Sequence, residues 1–132
     1  LLSLGHNNAL VVHGDGLDEI ALHGVTQARH IYQGEIRTLS FSTHDFGASP
    51  APISAIAGAE PAHNVDAIAQ VLSGKGQPAH KDAIGVNAAA LLWVNEPLRK
   101  MSDCFTQAMD VMAAGTPMQT IELAASISHQ GA

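Results

Sequence analysis

Aromatic residues make up only 4% of this 132-residue sequence, cysteine occurs once, and Lys and Arg together number six. Each scarcity removes a class of protein. The lone thiol, Cys104, has no partner for an internal disulfide, so no crosslinked scaffold can substitute for a hydrophobic core. The cations Arg29, Arg37, Lys75, Lys81, Arg99 and Lys100 are scattered, and the net charge is −6. Without a basic stripe to neutralise a phosphate backbone, nucleic acid is excluded as a partner. No apolar run reaches the roughly 18 residues of a membrane span, and no basic leader followed by an apolar stretch opens these residues. No membrane association and a cytoplasmic location are therefore expected.

Motif spacing is equally sparse. The eight histidines, His6, His13, His23, His30, His44, His63, His80 and His129, form no HxxxH or HExxH pattern, and no cysteine pair accompanies them, so a zinc site is not indicated. They are expected as surface or packed histidines, with His13 set apart because it ends an apolar run beside an acidic loop. Gly74-Lys75-Gly76 lacks the spacing and preceding strand of a phosphate-binding P-loop and suits a helix end with a solvated lysine. No Ser/His/Asp or Cys/His order supports a nucleophile. Cys104, placed among Met101, Phe105, Ala108 and Met112 at helical spacing, is expected as a buried apolar thiol.

What the chain does have is aliphatic mass. It is 46% hydrophobic, mostly small and branched aliphatics, which suits helices packed on a sheet and a single domain-sized core. The expected architecture is α/β: one unit over 1–132, strands over about 9–42 and helices over about 61–129. Ala9 to Val12 is a short continuous apolar run that predicts a strand buried on both faces. Glu19 to Leu22 and Thr26 to Tyr32 predict further strands, and Gln33-Gly34 turns the chain into Glu35 to Ser42 as a hairpin. Thr43 to Ala59 reads as loop. Pro61, Pro78, Pro97 and Thr116-Pro117 then open four helices. Apolar positions are Val65, Ile68, Ala69 and Leu72 in the first and Ala83, Ile84, Ala88, Leu91 and Leu92 in the second, which is expected to be the most buried. Ile121, Ala124 and Ala125 mark the last.

The strongest chemical signal is Asp18-Glu19, two adjacent acids after the glycine-broken stretch Gly14-Asp15-Gly16. A hard cation such as Mg²⁺ takes oxygen ligands and is often held by one or two carboxylates, with water and substrate phosphates completing its shell. On an extended strand the two side chains would point to opposite faces, so sharing one ion requires the backbone to turn there. Gly14 and Gly16 supply that freedom. The alternative is structural, with Asp15 and Asp18 as turn acids and Glu19 as a solvated strand residue.

Over Ala9-Leu10-Val11-Val12-His13-Gly14-Asp15-Gly16-Leu17-Asp18-Glu19-Ile20 the sequence resembles the anthranilate phosphoribosyltransferase family. The similarity continues through Gly34-Glu35-Ile36, Asp45-Phe46-Gly47, Asn64, Leu72-Ser73-Gly74 and Asn87-Ala88-Ala89-Ala90-Leu91, in order along nearly the whole chain. Asn8, where Arg is common in the family, and Arg29-His30, where Ala-Glu or similar is usual, depart from its pattern.

The resemblance implies the C-terminal part of an α/β domain of the nucleoside phosphorylase/phosphoribosyltransferase type. It implies transfer of phosphoribose from phosphoribosyl pyrophosphate to anthranilate in tryptophan biosynthesis, with Mg²⁺ as cofactor on Asp18 and Glu19. The family's GTGGD phosphate loop, its KHGNR segment and the arginine that meets the anthranilate carboxylate all precede the matched region. No catalytic or substrate-binding residue is therefore assigned here, and the isolated chain is expected to be inactive. The resemblance also implies a homodimer for the full-length family, with self-association expected of this piece. The alternatives are a pyrimidine nucleoside phosphorylase-like fragment and a non-catalytic α/β binding module.

Overall fold

The computed structural model describes residues 1–130. A three-stranded antiparallel sheet in the order β1-β2-β3 is built from β1 (Asn8–Gly14), β2 (Thr26–Tyr32) and β3 (Glu35–Phe41). Helices α1 (Thr43–Phe46), α2 (Pro61–Leu72), α3 (Pro78–Asn95), α4 (Met101–Ala113) and α5 (Thr116–Gln130) follow, with short 3₁₀ turns at Leu2–Leu4 and Ile53–Ala55. This mixed α/β order, strands first and helices after, is the expected class. No helix among the described residues is long and apolar enough to cross a membrane.

Tyr32 pairs with Glu35 across the Gln33-Gly34 turn, whose two residues take φ of 52° and 80°. Positive φ at both central positions matches the right-handed twist of the flanking strands, and this sets the β2-β3 register. One face of the sheet is covered. Leu10, Val12, Ala28, Leu39 and Phe41 pack against Phe46, Val86, Ala89, Trp93, Met101 and Phe105. Helices α3 and α4 form the main helical pair beneath it, and α5 leans on α4 and α2.

Several expectations fail for physical reasons. β1 is not buried on both faces: it lies at the edge of an antiparallel sheet with Val11 51% exposed, because an apolar run does not reveal which side is covered. Glu19 to Leu22 is not a strand but a bend followed by an apolar plug. The segment read as loop contains α1, opened by a capping box between Ser42 and Asp45. α4 begins at Met101, leaving Pro97 in the preceding turn. α3 is not the most buried helix. It buries Gly85, Val86, Ala89 and Ala90, whereas Leu91 stands 76% exposed, and shorter α4 buries Met101, Cys104, Phe105, Ala108 and Met112. On α2, Val65 and Ile68 remain exposed and Val71 carries the buried contact.

Asn8 and His30, which both depart from the resembled family pattern, meet in space. His30 Nε2 lies 3.0 Å from Asn8 Oδ1, and the Asn8 amide donates onward to the Val94 carbonyl at the end of α3. The His30 ring is 3% exposed and sits 4.7 Å from Trp93 and 5.6 Å from Tyr32, centroid to centroid. A neutral hydrogen-bonded pair thus ties the sheet to α3.

Burial, helped by the Arg37 charge on the paired position of β3, holds the His30 pKa below its ordinary value. The unfolded chain therefore binds this proton more readily, and the contribution is full above the unfolded pKa and lost as pH falls. Urea midpoints should drop between about pH 7.5 and about pH 5.5, and the drop should be smaller in His30→Gln. Equal drops in both proteins would show that another group controls the effect.

Candidate functional site

β1 ends at Gly14, where the chain reverses over Asp15 and Gly16, with φ of 47° and 94°. The reversal is closed by Gly14 N donating to Leu17 O at 2.9 Å and Leu17 N donating to Gly14 O at 3.1 Å. Asp-Gly is the sequence signature of such a two-residue turn, because both positions need positive φ. Asp18 and Glu19 follow at a bend, both exposed. Immediately afterwards Ile20, Ala21 and Leu22 dive into the core at 3%, 1% and 2% exposure.

Buried backbone donors outside a strand need other partners. Ile20 N donates to Asn87 Oδ1 at 3.0 Å, Ala21 N donates to Thr26 Oγ1 at 3.0 Å, and Ala51 N donates to Leu22 O at 3.2 Å. These bonds explain why an apolar segment that reads as a strand is instead an anchored loop. Gly14 is needed for the same packing: a Cβ there would collide with the Glu19 carbonyl and stand 2.7 Å from Ala21 N. Gly24 in turn makes room for the Asp15 side chain, and His23 Nε2 lies 3.1 Å from Asp15 O.

Glu19 faces a cleft of about 340 Å³ between this loop, residues 56–58 and helices α2 and α3. Its walls are largely apolar, including Ile56, Ala67, Ile68, Val71, Ala83 and Ile84, with His63, Asn64 and His80 among them. Asn64 fixes one lip by accepting from Ala59 N at 2.8 Å and donating to Ala59 O at 2.9 Å. Asp18 is exposed at the same bend but does not line the cleft.

His13, expected near the acids, is not among the cleft residues. It is exposed and shares with Val11 the sheet face turned away from the helices. His63 and His80 do line the cleft, and the sequence signal for them is the repeated Pro-Ala-His at Pro61 and Pro78, which sets each residue in the first turn of a helix.

Among the described residues no group of three or more His, Cys, Asp or Glu side chains could hold a metal ion. Two adjacent exposed carboxylates do not make an all-protein cage for zinc or calcium, but they fit the donor chemistry of Mg²⁺, which keeps most of its shell for water and phosphate oxygens.

The family model described as "Glycosyl transferase family, a/b domain" matches residues 1–118. An anthranilate phosphoribosyltransferase of Aeromonas hydrophila subsp. hydrophila is 42% identical over 132 residues, which is 100% of this chain and 39% of that protein. Two anthranilate phosphoribosyltransferase structures from Saccharomyces cerevisiae share 25% identity with it and cover 87% of this chain. The one in complex with 4-fluoroanthranilate gives a TM-score of 0.80 over 34% of its own length. The one in complex with PRPP and Mg gives 0.79 over 33%. The chain thus spans well under half the length of the relatives it matches.

Proposed function

The chain belongs to the glycosyl transferase family, matching its a/b domain, and from that membership we propose that it is the C-terminal part of an anthranilate phosphoribosyltransferase. The reaction is transfer of phosphoribose from phosphoribosyl pyrophosphate to the amine of anthranilate. The observation that carries this reading is Asp18-Glu19, presented at an exposed bend in a chain whose 132 residues are 42% identical to part of such an enzyme. We further propose that residues 1–132 form one partial α/β domain and that the reaction is cytoplasmic.

In the transfer, the amine nitrogen bonds to the anomeric carbon as the bond to pyrophosphate oxygen breaks, and the amine proton passes to solvent. Asp18 and Glu19 would hold Mg²⁺, which when bound offsets negative charge developing on the leaving pyrophosphate. The task of this chain is to present two carboxylates on a backbone anchored on both sides. The Asp15-Gly16 turn and the buried Ile20-Ala21-Leu22 plug fix the bend from either side, so little ordering remains when substrate arrives. Because the pair supplies few ligands, coordination positions remain for phosphate oxygens.

These residues carry no cluster of cations to seat a pyrophosphate, and one acid pair cannot align two substrates. Isolated, they are expected to be inactive. The exposed apolar side chains Leu91, Leu123 and Ile127 make self-association of the isolated chain an accompanying expectation, and a homodimer is proposed for the longer protein.

The test is a graft in which this chain replaces the matched portion of the Aeromonas hydrophila relative. Turnover that requires both anthranilate and phosphoribosyl pyrophosphate is expected from the graft and not from the 132 residues alone. A folded graft that consumes neither substrate would refute the assignment.

A further inference from the structure

Asn87 sits on α3, 67 residues beyond Ile20 in sequence, yet its side chain meets the acidic loop at two points. Oδ1 accepts the Ile20 backbone N–H at 3.0 Å. Nδ2 donates to Ala83 O at 2.9 Å, one turn back along the helix, and approaches Glu19 Oε2 at 3.4 Å. A side-chain amide has one carbonyl oxygen and two N–H donors, and here each has a partner. The network also fixes the orientation of the amide. A flipped group would set its N–H against the Ile20 N–H and its oxygen against two other oxygens.

We propose that Asn87 is a positioning residue for the ion held by Asp18 and Glu19, an inference that rests on the Mg²⁺ reading of that pair. Its bond to Ile20 N locks the backbone directly after Glu19. Its Nδ2 donates to one carboxylate oxygen, Oε2, and leaves Oε1 to face the ion. The neutrality of the amide matters. A lysine or arginine would orient the carboxylate too, but it would also cancel the charge that attracts the cation. An aspartate would keep the bond to Ile20 N while setting a second anionic oxygen against Glu19 and the Ala83 carbonyl. Groups that orient metal ligands in this way typically change metal affinity by about 10–100-fold when removed.

The experiment titrates the isotope-labelled 132-residue chain with Mn²⁺ in place of Mg²⁺ and follows paramagnetic broadening of the amide signals around Glu19. Asn87→Ala is expected to need about tenfold more Mn²⁺ for half-broadening, and its Ile20 N–H is expected to exchange with solvent faster without any metal. Met112→Ala, a buried change on α4 outside the core cluster that holds Ile20 and Leu22, should lower stability and leave the Mn²⁺ midpoint where it is. Asn87→Ser, too short to reach both Ile20 and Glu19, replaces Asn87→Ala if that variant fails to fold. A midpoint unchanged in the Asn87 variant, or moved equally by Met112→Ala, overturns the proposal while the acid-pair reading stands. Wild-type broadening that survives Asp18→Asn/Glu19→Gln overturns the acid-pair reading itself, and the role of Asn87 with it.

Discussion

Replacing Asp18 by Asn and Glu19 by Gln together should lower turnover of the grafted enzyme by roughly a thousandfold at saturating substrate, the scale on which metal stabilisation of a leaving group operates. The substitution isolates charge from shape. Both residues are exposed at the bend, and a glutamine at position 19 keeps an oxygen able to accept from Asn87 Nδ2. The loop anchors at Ile20, Ala21 and Leu22 are untouched, because their partners are Asn87, Thr26 and Ala51. Unfolding midpoints of graft and variant should therefore coincide while turnover collapses. A loss below tenfold with the fold intact would mean that the pair is a solvated turn feature.

Gly14→Ala should have the largest effect on the fold of any single methyl addition near the site, about 3 kcal/mol of destabilisation. The added Cβ meets backbone on the opposite side of the loop, the Glu19 carbonyl and Ala21 N. Backbone cannot rotate away as a long side chain can. Relief requires lifting the Ile20-Ala21-Leu22 plug, which is almost fully buried and bonded to three separate elements. Lifting it would also displace Glu19, so stability and metal affinity should fall together. Urea denaturation of the chain reads the first and Mn²⁺ broadening the second. A Gly14→Ala protein within about 0.5 kcal/mol of wild type would show that the loop is not pinned as described.

Local chemistry made much of this fold legible. Gln33-Gly34 gave the hairpin, because a two-residue turn with positive φ admits few sequences. Pro61 and Pro78 marked helix starts, because proline fits the first turn and little else in a helix. Helical spacing placed Met101, Cys104, Phe105, Ala108 and Met112 on the buried side of α4, where all five lie. What stayed hidden was non-local. Glu19 to Leu22 has the composition of a strand, and its bonds to the Asn87 amide, the Thr26 hydroxyl and the Ala51 N–H make it a loop. β1 has the composition of a strand covered on both sides, but its exposed Val11 shows that a run of aliphatic residues carries no record of its neighbours.

The candidate site divides in the same way. Asp18 and Glu19 stood out because adjacent acids after Gly14-Asp15-Gly16 are poorly placed for a core. Asn87 is marked in the sequence only by a resemblance, with no sign of what it bonds. His13 was drawn toward the site by its position in sequence, yet β1 turns it to the opposite face of the sheet. His63 and His80 reach the cleft because α2 and the start of α3 form two of its walls.

The most direct measurement is where a paramagnetic ion settles on the wild-type chain. With Mn²⁺ standing in for Mg²⁺, broadening should centre on the amides of Leu17, Asp18, Glu19 and Ile20, and it should vanish in Asp18→Asn/Glu19→Gln. Broadening centred instead on His63 and His80, or unchanged in the double variant, would contradict the account.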